Sequence, residues 1–180
     1  MIVERITAPT SPPFDLAAVK AHLRVDFADD DGGIATLAAA AAAEIEARAG
    51  LVLIDQTVRV SWGMWPAQWC EAVPLPLAPL RDPSTVGMTA SGEEFAGFTV
   101  STGLRPAITV TGVAPPGPVV LTYTAGFGAT EAALPPDLRA AIMDHCAAWF
   151  DARGAAGWRE GTRLSPHAAR IIGRYRRVML

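Results

Sequence analysis

The chain has 180 residues, 51% of them apolar, and a formal net charge of −3. A chain of that length suffices for one domain whose core buries roughly 68–70% of the unfolded surface. Its two cysteines, Cys70 and Cys146, lie far apart with no CxxC spacing, which excludes a multi-bridge framework and points to reduced thiols in a cytosolic protein.

The segment Met1–Ile6 has no basic region followed by an apolar run, and the longest apolar stretch, Ile34 to Ala43, is short and alanine-rich. Neither a signal peptide nor a membrane span is expected. Charge is unevenly spread. Residues 153–180 carry seven arginines and one acid, Glu160, a local +6 that leaves −9 for residues 1–152. Such asymmetry suits a tail that meets an acidic surface or nucleic acid, and equally a solvated basic end with no specific partner. Alanine supplies much of the apolar fraction and gives each helix little core volume, so part of the stability is expected to come from neighbouring subunits.

The first helix is expected over about 15–25. Asp15 is a good N-cap because its carboxylate accepts orphan backbone N–H groups, and Phe14 and Val19 occupy the two positions of a hydrophobic staple. Leu16, Val19 and Leu23 share a face. A second helix over about 31–49 follows Asp29-Asp30-Asp31, acids placed at the positive end of the helix dipole. Its apolar residues Ile34, Leu37, Ala38, Ala41 and Ile45 keep helical spacing, and Gly50 is a natural C′ residue.

A β-rich, proline-rich segment spans about 56–128. Val58, Val60 and Trp62 alternate as in a strand with one buried face. The prolines between 66 and 83 exclude a long helix or a central strand there. Ile108–Val113 and Val119–Thr124 are β-branched runs joined by Ala114-Pro115-Pro116-Gly117-Pro118, so they are expected to form a hairpin. A third helix over about 136–153 opens at Pro135-Pro136 and carries a wide apolar face of Leu138, Ala141, Ile142, His145, Cys146, Trp149 and Phe150. A tail from 154 to 180 contains a short helix opened by Ser165-Pro166, with Ile171, Ile172 and Tyr175 on it. The fold expected is therefore mainly α: a helical bundle with a β-rich, Pro-rich insertion between the second and third long helices, and a C-terminal basic tail, all within one domain of residues 1–180.

Catalytic patterns are missing. His22, His145 and His167 each stand alone in sequence. Asp29-Asp30-Asp31-Gly32-Gly33 lacks the alternating ligands and distal Glu of an EF-hand loop, so it reads as a cap cluster. There is no Gly-x-Ser-x-Gly elbow and no Walker loop. Gly126-Phe127-Gly128 lacks a third glycine and a surrounding βαβ unit, and reads as a strand terminator. Glu44 and Glu46 are two residues apart on one helix and do not face each other. No catalytic residue, cofactor or metal is expected, and the chain is read as a non-enzyme. Trp62, Trp65 and Trp69 fit either core packing or a protein interface, where Trp is enriched at hot spots. Arg170, Arg174 and Arg177 share a helical face, and arginine's planar fork suits phosphate and carboxylate alike. No zinc finger, RRM signature or KH loop accompanies them.

The ordered set of segments resembles the head–tail connector (adaptor, or head-completion) proteins of long-tailed phages and gene transfer agents. The resemblance is carried by Leu16–Asp26, by Ala49-Gly50-Leu51 with Gln56-Thr57, and by the proline-flanked strand Leu75–Leu80. Its most specific stretch is Thr122-Tyr123-Thr124-Ala125-Gly126-Phe127-Gly128 leading into Pro135-Pro136, and it ends at Ile171–Val178. Gly154–Arg163 and the length around 81–105 depart from the family pattern. The resemblance implies a ring of roughly a dozen copies beneath the portal at the DNA exit of the capsid. Such a ring extends the DNA channel without gripping a sequence and meets a tail-side stopper or tail terminator. It implies virion localisation at the head–tail junction, with assembly in the host cytoplasm. Arg170, Arg174, Tyr175, Arg176 and Arg177 are then the expected portal contacts, and Trp62, Trp65 and Trp69 the expected interface anchors. The alternative reading is a DNA-binding protein acting through the arginine-rich tail.

Overall fold

Strict alternation builds the central strands. In β2 (Gln56–Trp62) residues 56, 58, 60 and 62 are buried and those between face outward. In β8 (Val119–Ala125) residues 119, 121, 123 and 125 are buried. The two pair antiparallel with buried set against buried set, Val58 opposite Tyr123 and Val60 opposite Leu121. A one-residue slip would turn every apolar side chain outward, so this register is fixed by burial. The computed structural model describes residues 1–64, 71–111, 113, 116–152 and 164–176. They fall into two compact units, residues 1–10 with 54–127, and residues 11–53 with 128–180.

In the first unit, β2 and β8 lie at the centre of a five-stranded sheet ordered β1-β2-β8-β4-β5, with β1 at Ile2–Arg5, β4 at Gly87–Ala90 and β5 at Glu93–Glu94. Its strands pair antiparallel throughout the described residues. A second sheet, ordered β3-β7-β6, contains β3 (Val73–Pro74), β6 (Phe98–Ser101) and β7 (Ala107–Val110). The expected hairpin of the two β-branched runs does not form: β7 pairs with β3 and β6, while β8 pairs with β2 and β4. β8 has a full buried face to match against β2 and β4, whereas in β7 only Ile108 is fully buried. The intervening segment carries three prolines, which cannot donate to a ladder.

Leu75–Leu80 is not a strand either; the strand is the two-residue β3 just before it. Pro76 and Pro79 lack the N–H groups a ladder needs. The segment is instead fastened to both sheets. The Tyr123 hydroxyl donates to the Leu77 carbonyl (3.1 Å) and accepts from the Leu77 N–H (3.3 Å). Gly126 N–H donates to Pro79 O (3.0 Å), Leu75 N–H to Pro106 O (2.9 Å), and Leu80 and Gly103 exchange both backbone bonds (3.1 and 2.6 Å). Burial holds the Tyr123 phenol far above its ordinary pKa, with the Leu77 contact acting the other way. Tyr123→Phe is expected to cost about 1–2 kcal/mol by stranding the two Leu77 groups. Urea unfolding checks this, with an unchanged midpoint contradicting it.

The second unit is helical: α1 (Leu16–Leu23), α2 (Asp31–Ala49), α3 (Pro136–Ala152) and α4 (Pro166–Tyr175). Asp15 caps α1 by accepting from Ala17 and Ala18 N–H. Asp30 holds the cap position of α2 with no side-chain capping hydrogen bond, and Gly50 ends that helix in the left-handed region at φ 68°. α2 packs on α3, and α1 on both. Their shared core joins Val19, Ile34, Ala38, Ala41 and Cys146, with Phe14, Leu37, Met143 and Trp149 packed around it. Glu44 pairs with Arg48 one turn on, and Glu46 accepts the Leu53 N–H at 2.7 Å.

The fold class is thus mixed α/β, which corrects the expectation of a mainly α bundle carrying an insertion. The physical reason is that residues 54–127 recruit the N-terminal strand β1 as a sheet partner for β2 and enclose a core of their own, including Val58, Val60, Leu80, Ile108, Leu121 and Tyr123.

Candidate interaction surface

α4 is built by its own sequence. Ser165 caps it, with Oγ accepting from Ala168 N–H at 3.2 Å, and Pro166 takes the first turn. Ala168, Ile171 and Ile172 are buried at i, i+3, i+4 spacing, the stripe expected of a helix lying on a core. The helix packs on α3 and α2. Ala169, Arg170, Gly173 and Arg174 remain exposed.

Two carboxylates of α3 set the direction of α4. Asp144 meets His167, and Asp137 meets Arg174 at 3.1 Å. Both pairs of partners are seven residues apart in sequence, so α4 runs antiparallel to α3. Asp137 also accepts from the Tyr175 hydroxyl at 2.8 Å. Burial first, then that bond, pushes the Tyr175 phenol up to about 12. Asp144 reaches α1 as well, through His22 Nε2 at 3.1 Å.

Among the expected portal contacts, then, Arg174 and Tyr175 are engaged by Asp137 and steer the C-terminal half of α4. Arg170 and Arg176 are exposed and hold no ion pair among the described residues. Arg177 lies outside the described residues. Of the expected interface anchors, Trp62 lies on the buried face of β2, 9% exposed, while Trp65 and Trp69 lie outside the described residues.

The three histidines, isolated in sequence, converge at the start of α4. His145 is fully buried, its Nδ1 accepting from the Ser165 N–H at 3.4 Å and its ring 4.4 Å from that of Trp149. Burial depresses its pKa below the ordinary histidine value, with Glu44 acting upward and Arg48 downward. No spacing rule marks this cluster; the one sequence signal is the pair of seven-residue intervals, Asp137 to Asp144 and His167 to Arg174, on adjacent helices.

An open groove of about 790 Å³ crosses the outer face of the five-stranded sheet, lined by Glu4, Arg59, Ser61, Thr122, Phe95 and Phe98 among others. Among the described residues no histidine, cysteine or lysine lines it. Among the described residues no group of three or more His, Cys, Asp or Glu is placed to hold a metal ion, and no helix is long and apolar enough to cross a membrane.

Solved structures give this geometry its context. The chain matches a chain of the virion of a native gene transfer agent particle with a TM-score of 0.79 and 28% identity, covering 100% of this chain and 97% of that one. It matches a chain from the neck of an empty gene transfer agent particle, computed with C6 symmetry, with a TM-score of 0.76 and 30% identity over the same shares. A third match, at 0.76 and 28%, is to the neck of a native particle computed with C12 symmetry. No family model and no curated protein matches. A two-unit fold shared along its whole length with these chains defines a structural protein of a phage-like particle. The chain belongs to the family of gene transfer agent neck proteins represented by those structures.

Proposed function

We propose that the protein is the head–tail adaptor of such a particle, a ring that sits under the portal, joins the DNA-filled head to the tail and extends the DNA channel. The observation that carries the reading is the full-length match to neck chains, one from a neck computed with C12 symmetry. A ring of about twelve copies follows, closed by heterologous contacts in which one surface of each copy meets a different surface of the next. The portal lies on one side of the ring and a stopper or tail terminator on the other. The protein acts without catalysis.

α4 is the portal-facing element in this reading. Arg170 and Arg176 supply free guanidinium groups suited to carboxylates and to phosphate. Arg174 and Tyr175 hold the helix in place until a partner competes for them, and Arg177 continues the basic end. Trp65 and Trp69 serve as contacts to neighbouring copies.

The double substitution Arg170→Glu, Arg176→Glu is expected to leave stability within about 0.5 kcal/mol, since both side chains are exposed. It is expected to abolish joining of tails to filled heads. Counting joined particles by electron microscopy checks it; normal joining by a folded variant removes α4 from the portal contact.

A further inference from the structure

All three histidines of the chain meet where α4 begins. His145 must keep Nδ1 bare, because it accepts the Ser165 N–H. His22 and His167 both face the Asp144 carboxylate.

We infer that docking of α4 on α3 is gated by the protonation of His145, with acid releasing the helix. A proton on Nδ1 would point at the Ser165 N–H, donor against donor. The other ring nitrogen, Nε2, is buried and has no acceptor among the described residues, so an imidazolium there gains no hydrogen bond on either side. The residues facing the ring from each packed element are Glu44 and Arg48 on α2, Trp149 on α3 itself, and Ser165 at the head of α4. The two charges on α2 act in opposite directions, and burial decides the outcome.

A histidine held neutral in the docked state binds fewer protons there than when α4 is released. Docking is therefore complete above the ordinary histidine range and weakens as pH falls through it, levelling off below the depressed docked value. His22 and His167 face Asp144 instead. Their side chains are 38% and 35% exposed and that of Asp144 30%, so solvent screens them. The fully buried His145 prevails.

The docking equilibrium is a property of the isolated chain. Only its consequence, a portal-facing helix that loosens in acid, rests on the adaptor reading. The test is hydrogen exchange of α4 amides at pH 7.5 and 5.0, corrected for intrinsic rates, with α2 amides as the internal reference. In the native protein α4 protection is expected to fall about tenfold while α2 holds. In His145→Asn, which keeps an oxygen acceptor near the position of Nδ1 and does not titrate, protection is expected to stay level on acidification.

Unchanged α4 protection in the native protein overturns the inference, and so does an equal fall in the variant. Should the variant lose α2 protection and prove unfolded, an NMR titration of the native imidazoles decides. His145 staying neutral below the ordinary range supports the gate, and ordinary titration with α4 still docked rejects it. None of these outcomes bears on whether the protein belongs in the neck.

Discussion

Gly126→Ala is expected to destabilise the β-rich unit by about 3 kcal/mol or more. Gly126 follows β8 at φ +145°, a region that L side chains rarely adopt. A Cβ there would stand 2.6 Å from both Cα and N of Asp55. Those are backbone atoms, so no rotamer change can make room. The same turn is a junction. Gly126 N–H donates to Pro79 O, and its carbonyl accepts from Arg81 Nε at 3.1 Å. Arg81 in turn pairs with Asp55 at 2.5 Å. Displacing the backbone would disturb the fastening of the 75–81 segment together with the end of β8. Thermal or urea unfolding measures the loss; a variant with native stability would contradict the close approach.

Ala41→Leu is the second large effect, with an expected cost of about 3 kcal/mol. Ala38 and Ala41 are fully buried and Ala42 nearly so, in the helical core that includes Val19, Ile34 and Cys146. Alanine at these positions lets α2 lie close against its neighbours, and three added carbons have no space to enter. Ala40→Leu is the control. Ala40 is exposed, and leucine is nearly as good a helix former as alanine, so a change within about 0.5 kcal/mol is expected. Equal losses at the two positions would mean that α2 does not bury the face assigned to it.

Helix ends were readable because capping is local chemistry. Asp15 caps α1, Gly50 turns the chain out of α2, and Ser165-Pro166 opens α4, each through atoms within a few residues. The alternation in β2 was readable for the same reason: a strand with one buried face reports its own period. Sheet partnership was not. Ile108 and Val119 belong to strands of similar composition, and nothing near either specifies that one joins β3 and β6 and the other β2 and β4.

The N-terminal strand β1 is only four residues long and exposed throughout, so it carries no burial pattern to recognise. With no pattern to mark β1, residues 56–128 read as an insertion and the fold as mainly α, where the chain is mixed. The histidine cluster was hidden because His22, His145 and His167 come from α1, α3 and α4. Asp144, the carboxylate between two of them, sits beside His145 in the sequence yet serves different partners. The basic character of the tail was plain; that Asp137 already engages Arg174 and Tyr175 was not.

The proposed role is a ring of this protein at the neck, between portal and tail. The most direct measurement adds the purified chain to portal-bearing, DNA-filled heads that lack it and images the particles by electron microscopy. A ring of density, close to twelve copies, is expected at the portal vertex, competent to receive tails. Heads that acquire no such ring, with the chain binding free duplex DNA in a steeply salt-dependent manner instead, would contradict it and favour a nucleic-acid role for the basic tail.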